Sequence, residues 1–336
     1  MKLNVIKNRF IYLSISGMLF IASLIIMIFG NLNLGIDMTG GTSSEYTYSK
    51  LDIEKVKTEI NNSSKELKYN EKEVINSTNA YKISGQNSLT IVVGFDSSID
   101  EKKLSELKED FRNKTLKILE NNDSTVRESS YTNIGKSFGD YIKDTAVITL
   151  IIAIICITLY VAWTFSGVVS GISSYSFAAI VVITLFHDVL ISSGLYIFAS
   201  NFFPEFKIDT FFITALLTIL GYSINDTIVI FDRIRSNLQE GARKKEKLNT
   251  VINKSIGETL RRSIFTSLTL LFVLTTTFFW GPGSISGFVL VMIFGTLVGT
   301  YSSIFIASPL LYEMNKNKKL EILKKKVYNP EDKIVV

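Results

Sequence analysis

Histidine and cysteine are almost missing from this chain of 336 residues, which holds one of each, His187 and Cys156. A lone cysteine excludes an internal disulfide framework and a cysteine zinc site. His187, as the only histidine, lacks the partners that a zinc site would need, so no metal and no cofactor is expected. Proline is also scarce, at four residues. Charge is scarcest where the chain is most apolar.

Hydrophobic residues make up 47% of the chain, and they lie in blocks. This composition is that of an integral membrane protein. Six blocks have the length of bilayer-spanning helices: Phe10–Phe29, Thr145–Phe165, Ile172–Ala199, Thr210–Phe231, Ser263–Trp280 and Gly287–Leu311. Tyrosines and Cys156 aside, the only ionisable groups inside them are His187, Asp188 and Asp226. A carboxylate at the centre of a spanning helix costs about 3 kcal/mol on insertion scales, so such groups face a bundle interior, a water-filled path or a partner charge.

The first block follows Lys2, Lys7 and Arg9 and is longer than a signal peptide's apolar core, with no small-residue cleavage site after it. It reads as an uncleaved anchor with the N-terminus in the cytoplasm. The segment 31–143 then lies outside and has a soluble domain's patterning. Strand-like stretches (SSEYTYS, EVINSTNAYKIS, NSLTIVVGF, STVRESSY) alternate with two helical ones, the second carrying Leu104, Leu107, Phe111, Leu116 and Leu119 as a buried stripe. The order β, α, β, β, α, β is the split βαβ pattern of a ferredoxin-like fold. The expected fold is a polytopic membrane protein of six transmembrane helices, with one α+β extracytoplasmic domain between the first and second.

Nine basic residues between Asp232 and Arg262 mark that stretch as a cytoplasmic loop, and the tail from Glu313 carries seven lysines. Both termini are therefore expected in the cytoplasm, with the net charge of +5 reporting orientation and contact with membrane lipid instead of nucleic acid. At the domain's entrance the run GIDMTGG, with Gly35, Asp37, Gly40 and Gly41, suits a sharp turn from helix into strand that Asp37 caps. Gly295, Gly299, Ser303 and Ala307 recur every four residues on the last span, a small-residue stripe for close helix packing. Internal contact and dimer seam both remain open for it.

At 1.5 Å per residue, Asp226 lies about 9 Å above Asp232 and Asp188 about 16 Å from the outer surface, so the two carboxylates are staggered in depth. Arg262 opens the fifth span and can reach toward Asp226. These groups, with Asn225 beside Asp226, have the make-up of a proton path in which Asp226 carries and Arg262 is the counter-charge. The bland alternatives are a satisfied network of Asn225, Asp226 and Arg262 that only fixes packing, and an imidazole of His187 that hydrogen-bonds a neighbouring helix and holds Asp188. No Ser–His or paired-Asp arrangement points to an enzyme.

GIDMTGG, LFHDVLISSGLYIF, GYSINDTIVIFDRIR and TLRRSIFTS, in that order around an outer domain of about 100 residues, resemble the SecD/SecF family of bacterial protein-export membrane proteins. The resemblance covers nearly the whole chain. It implies a six-span half of the resistance-nodulation-division type that pairs with SecD and works beside the SecYEG channel, with YajC and the translocating preprotein as further partners, in the cytoplasmic membrane. It further implies proton-driven movement of the outer domains, with the family's functional charges falling on Asp226 and Arg262. Met38 stands where the family commonly has Phe, and Arg261 adjoins Arg262. Two alternatives are a half-unit of a proton-driven exporter of lipid or small molecules, and a non-transporting scaffold for the channel.

Overall fold

The computed structural model describes residues 4–70, 72–82, 87–96, 98–165, 168–169, 171–318 and 320. Most of the lysine-rich tail, and parts of the expected turn at 164–171, lie outside them. Six helices are long and apolar enough to cross a membrane, as a bilayer demands of segments that must satisfy every backbone hydrogen bond internally. They are α1 (Arg9–Phe29), α5 (Lys136–Thr164), α6 (Ser174–Ser200), α7 (Thr210–Arg243), α8 (Leu248–Trp280) and a last span formed by α9 (Ser286–Ser302), a π-helical turn (Ser303–Ala307) and α10 (Ser308–Asn315).

Three of these run past their apolar blocks. α5 begins nine residues before Thr145, taking in the polar stretch KSFGDYIKD. The stretch expected as a charged loop between Asp232 and Arg262 is instead the ends of α7 and α8, joined by a short turn in which Lys245 has φ 55°. The physical reason is a buried stripe beneath the charges. Ile234, Leu238 and Ala242 on α7 pack with Leu248, Val251, Ile252 and Ile256 on α8, while Glu240 bridges Lys244 and Lys254 on the surface.

Between α1 and α5 come α2 (Ile36–Thr39), β1 (Gly41–Thr47), α3 (Ile53–Glu66), the two-residue pair β2 (Lys68–Tyr69) and β3 (Lys72–Glu73), β4 (Ile75–Lys82), β5 (Ser88–Phe95), α4 (Glu101–Asn122) and β6 (Arg127–Ile134). The sheet order is β4-β5-β1-β6, antiparallel throughout. Asp52 and Asp100 start α3 and α4 by accepting backbone N–H groups of the first turn. Both helices cover one sheet face, where Val56 and Ile60 of α3 and Phe111 and Leu119 of α4 meet Tyr46, Leu89, Ile91 and Val93. Leu104, Leu107 and Leu116 of the expected stripe are partly buried at its edge. A small ladder of β7 (Val168–Val169) and β8 (Ile172–Ser173) precedes α6.

The other sheet face is polar and stands over the α6–α7 loop, enclosing a cavity of about 270 Å³ whose walls include Ser43, Glu45, Tyr81, Asp37, Lys207 and Asp209. Here GIDMTGG fastens the domain to the helical unit. Gly35 N–H donates to the Ile208 carbonyl and Ile208 N–H to the Asn33 carbonyl, both at 2.8 Å. Gly40 has φ 75°, and a Cβ there would come within 2.9 Å of the Lys136 backbone, so glycine is required twice over. Asp37 does not cap its own turn: it accepts the Thr210 hydroxyl at 2.5 Å, at the start of α7. Burial pushes the neighbouring Asp209 up to about 6 and Lys207 down to about 8.

Candidate functional site

The buried polar groups of the helical unit gather where α1, α6, α7 and the last span meet. Asp188, on α6, has no exposed surface and His187 almost none. His187 Nδ1 lies 2.8 Å from Asp188 Oδ1, and its Nε2 lies 2.5 Å from Ser16 Oγ on α1. The other carboxylate oxygen of Asp188 accepts the hydroxyls of Ser302, at 2.7 Å, and of Ser223 on α7. Both carboxylate oxygens of Asp188 are thus engaged; α7 and the last span are tied to it directly and α1 through His187.

The last span reaches Asp188 because of two local features. Glycines at 295 and 299 remove side chains from its α7 face. A Cβ on Gly295 would overlap the Ile219 side chain, and one on Gly299 would lie 2.9 Å from Ser223 Cβ. The small-residue stripe is therefore an internal contact with α7. Pro309 has no N–H for the carbonyl four residues before it, and the π-helical turn lies just upstream. Next to that turn Ser302 faces Asp188, while Ser303 bonds Thr227 Oγ1 at 2.8 Å.

Asp226 lies one turn along α7 from Ser223, about 4.5 Å further along the helix axis, and so stands apart from the Asp188 cluster. Its surroundings differ sharply. Asp226 is 5% exposed, yet its Oδ2 meets no donor at full hydrogen-bond geometry; Ser263 Oγ on α8 stands beside it as a loose contact and is otherwise unpartnered. Arg262 is the opposing charge that acts on Asp226 through space, and no ion pair within 4.0 Å joins the two. Its side chain instead lines a cavity of about 400 Å³ between α7 and α8 with Asp232, Arg233, Glu258 and Thr259. Arg261 turns away to lie over the Phe265 ring, 5.3 Å from its centroid. Asn225 is exposed on the bundle's outer surface and is not brought to the cluster.

Ser16, Ser223, Ser302, Thr227 and Ser263 were not singled out as site residues by charge. Their only signal was a hydroxyl inside an apolar block. No group of three or more His, Cys, Asp or Glu able to hold a metal ion occurs among the described residues.

Comparison with known proteins bears on the chain as a whole. The family model "Protein export membrane protein SecD/SecF, C-terminal" matches residues 114–317. The protein translocase subunit SecF of Endomicrobium trichonymphae is 34% identical over 94% of this chain and 93% of its own length. That of Calditerrivibrio nitroreducens is 34% identical over 92% and 93%. The crystal structure of SecDF, a translocon-associated membrane protein from Thermus thermophilus, superposes with a TM-score of 0.71 at 25% identity, covering 93% of this chain and 38% of that longer one. The chain belongs to the SecD/SecF family of protein-export membrane proteins.

Proposed function

We propose that this chain is an accessory subunit of the bacterial Sec export machinery that couples proton flow across the cytoplasmic membrane to late preprotein translocation. In this reading it pairs with SecD beside the SecYEG channel, with YajC and membrane lipid as neighbours, and is not an enzyme. The relatives' names and the likeness to a single longer SecDF chain support the pairing. The α+β domain is extracytoplasmic and ferredoxin-like, a reading supported by its strand order, and both termini are cytoplasmic, supported by the basic ends of α7 and α8.

One observation carries the coupling: Asp226 is buried with a carboxylate oxygen that has only the loose neighbour Ser263 and no full hydrogen bond, while Arg262 acts on it without an ion pair. A charge so placed is costly unless it takes a proton or a counter-ion. Movement of α8 against α7 switches between the two. With Arg262 close, Asp226 holds its charge and releases its proton; with Arg262 withdrawn toward its cavity, protonation is favoured. His187 and Asp188 serve as the fixed end of the path.

The test is preprotein translocation into vesicles with and without a proton gradient. Asp226→Asn is expected to abolish gradient-dependent stimulation while the variant still folds and co-purifies with SecD and channel subunits. Unchanged stimulation rejects the carrier role, and recovery of a self-assembled oligomer alone points to an exporter.

A further inference from the structure

At the face of the helical unit away from the α+β domain, the α7–α8 turn and the end of α10 enclose a cavity of about 580 Å³. Four lysines from chain segments some seventy residues apart line it: Lys245, Lys247, Lys316 and Lys318. Glu246 is the one carboxylate in its wall. The other acids near by are already engaged, Glu240 with Lys244 and Lys254, and Glu313 with Arg9 and Lys316. Among the described residues Lys245, Lys247 and Lys318 have no carboxylate within 4.0 Å.

Folding does not ask for this excess. Like charges gathered in one concavity repel, and Lys245 holds a left-handed backbone (φ 55°) that glycine would take more easily. Lys247 stands at the N-terminal boundary of α8, whose first turn has neither an acidic residue nor a side-chain cap, so the helix end adds positive potential to that of the lysines. The cavity's depth narrows the choice of anion. Tyr312 in its wall lies under the Arg9 guanidinium, 5.1 Å from ring centroid to Cζ, and Arg9 is the first residue of the span α1. The cavity therefore opens at the level where a membrane's phosphates lie, with a tyrosine at the boundary as interfaces favour.

We infer that this cavity seats the phosphate-bearing headgroup of an anionic phospholipid. Lys245, Lys247 and Lys318 supply the free ammonium groups, and Lys316 shares its charge between Glu313 and the headgroup. The inference does not depend on the proton-carrying role of Asp226.

Full-length protein in detergent, incubated with short-chain phosphatidylglycerol or phosphatidylcholine and read by native mass spectrometry, tests it. Phosphatidylglycerol is expected to be retained at least about tenfold better than phosphatidylcholine, and the triple variant Lys245→Glu, Lys247→Glu, Lys318→Glu to lose at least that factor. Lys65→Glu, on α3 of the outer domain, is expected to change nothing. If the reversal does not fold, the triple Lys→Gln variant is to lose binding in the same direction. Retention within about twofold of the parent in the folded triple variant, or equal retention of phosphatidylcholine, overturns the inference. So does inorganic phosphate that binds alone as tightly as phosphatidylglycerol, since the ligand is then a soluble phosphate.

Discussion

Asp188 and Asp226 are buried carboxylates on neighbouring helices, and they are held in opposite ways. Asp188 accepts from His187, Ser223 and Ser302 and has no exposed surface. Asp226 keeps an oxygen with no full hydrogen bond, beside an arginine it does not pair with. Burying a charge costs several kcal/mol unless hydrogen bonds or a counter-charge offset it. The first site is therefore closed and ties four helices together. In the proposed reading the second is open to a proton or to Arg262, and only an open site can change its occupant cheaply when helices shift. Burial and chemical type make the two residues look alike, and their neighbours separate them.

The largest effect expected from breaking this contrast is at the closed site. Asp188→Ala removes three hydrogen bonds at about 1 kcal/mol each and leaves His187 Nδ1 and Ser223 Oγ without that partner, while Ser302 Oγ keeps the Gly299 carbonyl, for a loss of about 3 kcal/mol. Asp226→Asn keeps the side chain's shape and its one neighbouring hydroxyl, Ser263, and is expected to cost less than about 1 kcal/mol. Thermal unfolding of both variants in the same detergent measures the difference. Equal destabilisation would mean that Asp226 is as much part of the framework as Asp188.

A third carboxylate, outside the spans, lies between these extremes. Asp209 accepts the Phe212 N–H at 2.8 Å and is half-buried in the cavity under the sheet, where burial pushes it up to about 6. Asp37, Glu45, Tyr81, Glu205 and Lys207 also line that cavity. If the domain lifts off, Asp209 returns to its ordinary value near 3.8, so the docked state binds the proton more tightly. Docking is then strengthened as pH falls through 6, levels off below 3.8 and is lost as pH rises. Lys207, at about 8, stays charged in both states below pH 7 and leaves this window unchanged. Between pH 7 and pH 5 the docking equilibrium is expected to move about tenfold toward the docked form. Nitroxide labels at Asn113→Cys and Asn201→Cys, in a Cys156→Ser background, read it as a distance distribution; one that ignores pH removes Asp209 from the docking balance.

Much of this was legible in the sequence because it is local. The six spans follow from runs of apolar residues, and the β, α, β, β, α, β order from the switch between two-residue and 3.6-residue periods. Asp188, Asp226 and His187 stand out because charge is rare in such runs. The ends of α7 and α8 were hidden because their charged faces outnumber a narrow stripe of Ile234, Leu238, Val251 and Ile252. Asn225 and Asp226 sit about 100° apart on one helix, so only one can face inward, and sequence order does not say which. Asp37's partner is Thr210, and the partner of Asp188 on the last span is Ser302, both more than a hundred residues away. Hydroxyls in apolar helices are common enough that none announced itself.

The smallest effect tests the contrast most finely. Ser302→Ala removes one of the three donors to Asp188 and leaves His187 and Ser223 in place, while Ser303 keeps its bond to Thr227. Hydrogen bonds between membrane helices average about 0.6 kcal/mol and rarely exceed about 1.7 kcal/mol, so a loss in that range is expected in thermal unfolding. Because Asp188 remains bound to two donors, gradient-dependent translocation should persist in this variant. Loss of that stimulation with stability unchanged would mean that Asp188 also exchanges its proton, and that its saturation describes one state of a moving relay instead of a fixed support for Asp226.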